Sequence, residues 1–506
     1  MTSHAGQSVL ESRSQTPIVA YVLVSAALFV LLSLHTRNAQ WNGDFWEHGA
    51  VVRELATHPL SPLHPQLHLD APHAFNSPYH LAVGLFARWT SISAIEALAI
   101  AGLANLILFL VGLYLVTATL TGNRTVPVYV LLFTLLLWGK SPWGYSGFFH
   151  IGMLSYALPY ASTFAMGIAF IGLWAFMRYQ RDHRKSLLCL VVIVLAFVIL
   201  SHPLTFLFMA MGLAAVALGR EEARLSHVLT AASIVLLAFV VAGLWPLYPF
   251  YTLVRSGTPA FHEGNAVIYT NVLLRTAPAL LGLPFLIQRF LTRRTDPLVV
   301  MFAGTAAFYV YGGITENWSF GRLIAPLFLV LHIALADGLL RLSATLKTSD
   351  SQRVRRFAQY GPIAFAILVC IVFSPRILHV AKRSLPGVQP AHAPYAFLKR
   401  HVNQYDVMLS DMETSFIVPV LAGKVVSVTH GLAFVHDIDQ RTMSVERFFR
   451  PDTSIADRQQ VISEYNVSVI LFDKEQISHW KSIVDASLDA FEPIFENTRF
   501  LLLRRM

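Results

Sequence analysis

Residues 97–120 have the sequence ALAIAGLANLILFLVGLYLVTATL, without one charged side chain. A helix crosses the hydrocarbon core of a bilayer with about 20 consecutive apolar residues, so this run is long enough to span. Residues 17–34, 186–200 and 228–248 are further runs of the same kind. Of the 506 residues, 55% are hydrophobic and only 13% are charged. Soluble domains carry about 25% charged residues, so the composition predicts a polytopic α-helical membrane protein.

Outward from this run, hydropathy predicts about eleven spanning helices. They are expected at residues 17–35, 92–121, 126–139, 156–177, 186–201, 203–219, 227–249, 270–288, 297–314, 322–341 and 359–378. Basic loops separate several of them, at Arg178–Lys185, Arg220–Arg224, Arg289–Arg294 and Arg341–Arg356. Because cytoplasmic loops are enriched in Lys and Arg, these loops predict a cytoplasmic N-terminus and an outer C-terminus.

The net charge of +9 has the same explanation, because the basic residues lie in short loops between apolar runs. This pattern argues against a nucleic-acid partner. The two cysteines, Cys189 and Cys370, each lie inside an apolar run. We therefore expect buried free thiols and no disulfide framework.

The C-terminal tail has a different character from the rest of the chain. Short strands are predicted at residues 405–411, 424–429, 467–473 and 500–504, with helices at 413–422, 455–465 and 476–490 between them. Alternation of strand and helix is typical of a small α/β domain. The sequence thus predicts a transmembrane domain over residues 1–379 and an extracytoplasmic α/β domain over 380–506.

The first outer loop, residues 36–91, is too long for a simple connection. It contains Gly43-Asp44-Phe45-Trp46-Glu47-His48. On a helix, Asp44, Glu47 and His48 share one face. Two carboxylates and an imidazole at a membrane surface are suited to proton abstraction or to binding a divalent cation such as Mg²⁺ or Mn²⁺. The structural alternative is that Asp44 only caps the helix.

Five histidines follow in the same loop, namely His58, His64, His68, His73 and His80. The spacing of His64 and His68 suggests a zinc site, but prolines at 59, 62, 65 and 72 argue against a continuous helix there. Interfacial histidines that bond headgroups, phosphate or backbone, with no structural metal, are the favoured interpretation. Asp70 is a further candidate for metal or acceptor binding.

Other ionisable residues are predicted on the outer side, at His150, His262, Glu316 and Arg322, with His202 at a proline break. Ionisable groups at membrane depth are costly and are therefore functional candidates. Arg322 opens a late helix, where its planar guanidinium is suited to hold a lipid phosphate. Interfacial snorkelling is the alternative for this residue. The histidines are weaker phosphate partners, because imidazole is largely neutral at neutral pH.

The layout resembles the GT-C superfamily of membrane glycosyltransferases, which use polyprenyl-phosphate-linked sugars. The similarity covers most of the chain as architecture. The local features that carry it are Gly43-Asp44-Phe45-Trp46-Glu47-His48, Asn76-Ser77-Pro78-Tyr79-His80-Leu81, Leu200-Ser201-His202-Pro203-Leu204-Thr205, Gly321-Arg322-Leu323-Ile324-Ala325-Pro326 and Leu409-Ser410-Asp411-Met412-Glu413-Thr414-Ser415. The family often has adjacent Asp and Glu in this loop, whereas Phe45 and Trp46 separate them here.

The resemblance implies an inverting hexosyl- or pentosyltransferase in a bacterial inner membrane. Asp44, with Glu47, would deprotonate the acceptor, a glycan, lipid or protein hydroxyl. The donor phosphate would be bound by Arg322, His150, His202 and His262. His48, Asp70 and Glu316 would serve the acceptor or a cation. No cofactor is required, with a divalent cation as the open alternative.

Two other functions remain open from the sequence, namely a transporter or flippase of lipid-linked glycan and a polysaccharide polymerase or ligase. Transporters usually show related halves and ionisable groups near the bilayer midplane. Here the ionisable residues gather on the outer side and the chain carries an extracytoplasmic tail. These features favour transfer chemistry at the membrane surface.

Overall fold

The computed structural model describes residues 16–41, 43–219, 225–256, 263–385, 387, 389–429 and 432–506. The chain divides into two compact units. The first comprises Met1–Asn38, Ala101–Leu244 and His262–Val388, and the second comprises Ala39–Ile100, Trp245–Phe261 and Gln389–Met506. Each unit thus combines segments that are distant in the sequence.

Helices account for most of the described chain before residue 384. In chain order they are α1 (Thr16–Arg37), α2 (Phe45–Thr57), α3 (Pro78–Thr90), α4 (Ala94–Thr121), α5 (Val126–Leu136), α6 (Ile151–Ala157), α7 (Ala161–Asp182), α8 (Lys185–Ser201), α9 (Pro203–Leu218), α10 (Leu225–Gly243), α11 (Phe250–Ser256), α12 (Val272–Thr276), α13 (Leu283–Thr292), α14 (Pro297–Ile314), α15 (Ile324–Leu346), α16 (Gln352–Val372) and α17 (Ser374–Arg383). Helix α15 is buried along most of its length and is a central element of the first unit.

Seven helices among the described residues are long and apolar enough to cross a membrane. They are α1, α4, α7, α10, α14, α15 with the turn that precedes it, and α16. The shorter apolar helices α5, α8 and α9 lie where spans were predicted at 126–139, 186–201 and 203–219. The polytopic α-helical membrane class is therefore confirmed, although the helices differ in length more than hydropathy indicated.

The predicted span over residues 270–288 is not a single helix. Residues 270–288 form α12, a 3₁₀ segment at Ala277–Gly282 and the start of α13. Pro278 and Pro284 stand at the beginnings of the last two segments, where a missing backbone N–H is tolerated. Apolar composition alone does not reveal such breaks, so the expected helix here was wrong.

The break predicted at Ser201-His202-Pro203 is present. Helix α8 ends at Ser201 and α9 begins at Pro203. The His202 Nδ1 atom accepts the backbone N–H of Thr205 at 3.3 Å, which caps α9. Proline at the first helical position and a side-chain acceptor before it are the usual way to start a helix.

Both cysteines are free thiols, but their expected burial was wrong. Cys189 on α8 is exposed and Cys370 on α16 is half-buried. A spanning helix presents part of its surface to lipid, which is as apolar as the protein core. An apolar run therefore does not specify which of its residues face the protein interior.

The C-terminal part of the second unit contains a five-stranded sheet. Its elements are α18 (Leu398–His401), β1 (Val407–Leu409), α19 (Met412–Leu421), β2 (Lys424–Val425), α20 (Ile438–Phe449), α21 (Ile455–Glu464), β3 (Val469–Asp473), α22 (Trp480–Ser487), β4 (Phe491–Glu496) and β5 (Phe500–Arg505). The strand order is β2-β1-β3-β5-β4, with β1 parallel to β2 and β3, and β5 antiparallel to β3 and β4. The predicted small α/β domain is confirmed, but α20 and β4 were missed.

The first outer loop packs onto this sheet within the second unit. Leu67 forms a parallel bridge with Val425, and the Val425 N–H donates to the Gln66 carbonyl at 2.8 Å. The loop therefore extends the edge beside β2. The boundary between a transmembrane domain that ends at residue 379 and an extracytoplasmic domain that begins at residue 380 stays a prediction. Part of the predicted transmembrane domain lies in the same compact unit as the C-terminal tail.

Candidate functional site

The acidic motif of the second unit lies at the start of α2. Asp44 directly precedes this helix and is half-buried, and its side chain makes no capping hydrogen bond to it. Trp41 stacks on Phe45 with ring centroids 4.8 Å apart, and both rings are buried. This packing anchors the first turn. The geometry therefore gives Asp44 a defined position without the capping contact that was the structural alternative.

Glu47 is buried and pairs with a histidine of the same loop. The His73 Nε2 atom lies 3.2 Å from Glu47 Oε1, and both side chains are at most 4% exposed. His73 Nδ1 accepts the backbone N–H of Phe75 at 3.1 Å. The other ring nitrogen, Nε2, is therefore the one that faces the Glu47 carboxyl. Glu47 is thus held in one orientation by a nearby loop residue.

His48 and His80 form a second buried pair. His48 Nδ1 lies 2.7 Å from His80 Nε2, and His80 Nδ1 lies 2.8 Å from the Ser77 hydroxyl. Burial lowers the pKa of His48 to about 4 and the pKa of His80 well below its usual value. Burial therefore favours the neutral form of both rings, and in the contact between them one ring nitrogen donates and the other accepts.

The cluster expected from one helical face is thus divided. Asp44 lies at the helix start and is half-buried, Glu47 contacts His73, and His48 contacts His80. Glu47 and His48 lie in the first turn of α2, and Asp44 directly precedes it. The contact partners of Glu47 and His48 come from residues 73–80, and nothing in the motif itself predicts them.

Three more polar side chains of this loop are fully buried, and each has polar atoms without a hydrogen-bond partner among the described residues. They are His64 at Nε2 and Gln66 and Asn76 at both amide atoms. An unpartnered buried polar atom costs about 1–3 kcal/mol, so such atoms concentrate where water or a ligand meets them. His68 and Asp70 are exposed instead. The described residues contain no group of three His, Cys, Asp or Glu side chains arranged to hold a metal ion.

Arg322, in the first unit, is held by side chains from two other segments. Its Nε donates to Asn265 Oδ1 at 2.9 Å, and its Nη1 donates to the Ser146 hydroxyl at 3.1 Å. The guanidinium carbon lies 5.4 Å from the centre of the Tyr145 ring. These contacts fix the plane of a half-buried cation in the turn that precedes α15.

The loop that holds Arg322 also approaches His202. A side-chain carbon built on Gly147 would lie 3.7 Å from His202 Cε1. His202 Nδ1 lies 2.8 Å from the Thr205 hydroxyl. Residues 145–147 therefore lie close to both Arg322 and His202, two of the four residues predicted to bind the donor phosphate.

The other predicted residues have different positions. His150 is buried, with Nε2 donating to the Trp143 carbonyl at 2.9 Å and Nδ1 accepting from Met153 N at 3.2 Å. Both ring nitrogens thus organise the backbone around α6. Glu316 is exposed at a turn with φ 55°. His262 lies outside the described residues. The partners of Arg322 were not expected, because 176 positions separate Ser146 from it.

Comparison with solved structures identifies the fold. ArnT from Cupriavidus metallidurans bound to undecaprenyl phosphate superimposes with a TM-score of 0.56 and 13% identity, over 97% of this chain and 98% of that chain. Its apo form has a TM-score of 0.50 and 12% identity, over 96% and 98%. The Archaeoglobus fulgidus oligosaccharyltransferase in complex with Zn and sulfate has a TM-score of 0.54 and 12% identity, over 92% and 70%.

By contrast, comparison of sequences finds no family model and no curated protein that matches this chain. ArnT and the oligosaccharyltransferase are both members of the GT-C superfamily. The expected resemblance is therefore confirmed at the level of the fold, which this chain shares with ArnT and with the archaeal oligosaccharyltransferase.

Proposed function

We propose that this chain is an inverting glycosyltransferase that moves a sugar from a polyprenyl-phosphate donor to an acceptor hydroxyl at the outer face of the membrane. The observation that carries the proposal is the fold shared over nearly the whole chain with an ArnT that binds undecaprenyl phosphate. The defined position of Asp44 before α2 and the fixed guanidinium of Arg322 support it.

In the proposed reaction, the Asp44 carboxylate takes the proton of the acceptor hydroxyl. The acceptor oxygen then attacks the anomeric carbon and forms the new glycosidic bond with inversion. The bond from that carbon to the donor phosphate oxygen breaks, and polyprenyl phosphate leaves. Arg322 stabilises the negative charge on this phosphate, with His202 beside its loop. Glu47, oriented by His73, is the second carboxylate.

The sugar is proposed to be a hexose or a pentose, and the acceptor a glycan, a lipid or a protein. The decisive measurement is incubation of purified protein with a panel of prenyl-phosphate sugars and membrane-extracted acceptors. We expect release of prenyl phosphate together with a labelled product. Transbilayer movement of the lipid-linked sugar without cleavage would contradict the proposal and support a flippase.

We assign no step of this reaction to a divalent cation. The archaeal oligosaccharyltransferase was crystallised with Zn. In this chain the imidazoles of His48 and His80 bond to each other, and His73 bonds to Glu47. Within the described ranges, these pairings do not combine into a three-ligand site for Mg²⁺ or Mn²⁺.

We also propose that the protein lies in a bacterial inner membrane with its N-terminus in the cytoplasm and its C-terminal sheet outside, because the arginine-rich loops alternate with the spans. In a Cys189→Ala, Cys370→Ala background, Asp452→Cys should react with a membrane-impermeant maleimide in intact cells. Asp350→Cys, in the loop between α15 and α16, should react only after permeabilisation. Both positions are exposed. The reverse labelling pattern would overturn the orientation.

Arg322→Ala is expected to weaken donor use by about 1.5–3 kcal/mol, the contribution of a hydrogen bond to a charged group. Arg322→Lys keeps the charge but loses the planar fork, so its loss should be partial. Donor titration in nanodiscs measures the effect. Lys140→Ala is the matched control, since Lys140 is an exposed cation of the same unit. An unchanged donor dependence in folded Arg322→Ala protein would remove Arg322 from the site.

A further inference from the structure

A cleft of about 210 Å³ opens on the second unit, between the C-terminal half of α2 and the segments around α18 and α19. Its polar walls contain Arg53, Glu54, Thr57, Lys399 and Gln404, and Val402, Leu421 and Ala422 contribute apolar surface. The proposed transfer uses none of these residues. The cleft is large enough for one sugar unit and is built from segments far apart in the sequence.

Arg53 supplies a cation at the wall formed by α2. One of its Nη2 hydrogens is donated to the Gly423 carbonyl at 2.6 Å, which fixes the half-buried guanidinium. Burial lowers the pKa of Arg53 to about 10, so it remains charged at neutral pH. A guanidinium withdrawn from water binds anions more strongly than an exposed one.

The acid beside Arg53 does not cancel this charge. Glu54 Oε2 lies 2.6 Å from Lys424 Nζ, and both side chains are 2% exposed. Glu54 Oε1 accepts the backbone N–H of Leu63 at 3.1 Å. The Glu54 charge is thus neutralised inside the protein. With Glu54 paired to Lys424, Arg53 and the exposed Lys399 are the two cations of the cleft lining.

The rest of the lining suits a hydroxylated ring. The Thr57 hydroxyl donates to the Arg53 carbonyl at 3.0 Å, so its oxygen remains an acceptor for a ligand hydroxyl. Gln404 adds an amide with donor and acceptor atoms. Val402 and Leu421 are buried and apolar. A sugar presents C–H groups on its ring face and hydroxyls at its rim, which matches a mixed lining of this kind.

We propose that this cleft is a binding site for one anionic sugar unit of a glycan, whose carboxylate or phosphate lies between Arg53 and Lys399. A uronic acid and a sugar phosphate share this chemistry. The site is separate from the proposed transfer and predicts binding in the absence of any polyprenyl-phosphate donor.

The experiment is calorimetric titration of the full-length protein in detergent with glucuronic acid, glucose 6-phosphate, glucose and inorganic phosphate. We expect saturable binding of glucuronic acid, of glucose 6-phosphate or of both, and at least about ten-fold weaker binding of glucose. The stronger of the two anionic ligands identifies the source of the charge. Equal binding of glucose, or inorganic phosphate as tight as glucose 6-phosphate, would overturn the assignment.

Variants locate the binding. Lys399→Gln changes an exposed residue and should weaken binding by about ten-fold or more without affecting folding. Arg53→Gln should have the larger effect, because it also removes the contact to Gly423. Arg400→Gln is the matched control, since Arg400 is an exposed neighbour on α18 outside the cleft lining. Unchanged affinity in Lys399→Gln, or equal losses in Lys399→Gln and Arg400→Gln, would refute the site.

Discussion

Replacing Asp44 with asparagine is expected to lower the rate of sugar transfer by about 10²–10⁴-fold, the usual contribution of a general base. Asparagine keeps the shape of the side chain but cannot take up the acceptor proton. The fold should tolerate the change. Asp44 makes no capping hydrogen bond to α2, and the lost interaction with the helix dipole is about 0.3–1 kcal/mol. Single-turnover transfer at saturating donor separates this effect from binding.

Asp439→Asn is the matched control, because Asp439 is also an acid near the start of a helix, is exposed, and lies on α20. It should retain normal transfer. If Asp44→Asn keeps a near-normal rate, the base is a different acid. Glu47 is then next, followed by Asp70. Glu47→Gln distinguishes the two, since Glu47 bonds to His73 while Asp70 is exposed.

Removing the charge of Lys424 is expected to destabilise the second unit by about 3–5 kcal/mol, the scale for breaking a buried ion pair from one side. Lys424 Nζ donates to Glu54 Oε2 at 2.6 Å and to the carbonyls of His64 and Pro65 at 2.8 and 3.2 Å. These three acceptors match the three hydrogens of the ammonium group. Lys424→Met leaves the Glu54 carboxylate buried without its counter-charge, and leaves the two carbonyls without their donor.

The measurement is chemical denaturation of the full-length protein in detergent. Unfolding of the second unit is monitored by proteolysis of the C-terminal segment. Arg447→Met is the control, because Arg447 and Asp457 form an exposed ion pair in the same unit, with 41% and 43% exposure. Its loss should cost less than about 1 kcal/mol. The double variant Glu54→Gln, Lys424→Met should recover much of the loss, since no buried charge remains. Equal stabilities of Lys424→Met and Arg447→Met would contradict this account.

The same ion pair predicts an acid transition. Burial opposes ionisation of Glu54, but the Lys424 ammonium and its hydrogen bonds outweigh it and hold the pKa of Glu54 below its usual 4.5. A carboxyl whose pKa is lowered by folding stabilises the fold above its unfolded pKa. This stability is lost as the pH falls through the folded value. The denaturant concentration at the unfolding midpoint should therefore decrease in the natural protein as the pH is lowered below about 4.5. The decrease should be smaller in the double variant Glu54→Gln, Lys424→Met.

Hydropathy determined the membrane class and most helix positions. Residues 17–35 and 297–314 were expected to span, and the helices found there are Thr16–Arg37 and Pro297–Ile314. The alternation of strand and helix in the tail likewise anticipated its sheet. These features follow from the composition of continuous stretches. A membrane span requires a continuous apolar run, and a strand or helix is indicated by the pattern of residue types a few positions apart.

Only the tertiary structure decided which side chains meet. Glu54 and Lys424 are 370 positions apart, Ser146 and Arg322 are 176 apart, and strand β4 was visible only as the partner of β5. The motif at Asp44 indicated acids at one place, but residues 73–80 decided that Glu47 and His48 would be buried and paired. Dehydration and hydrogen bonding between distant segments set these contacts, and the periodicity of a single segment carries no record of them.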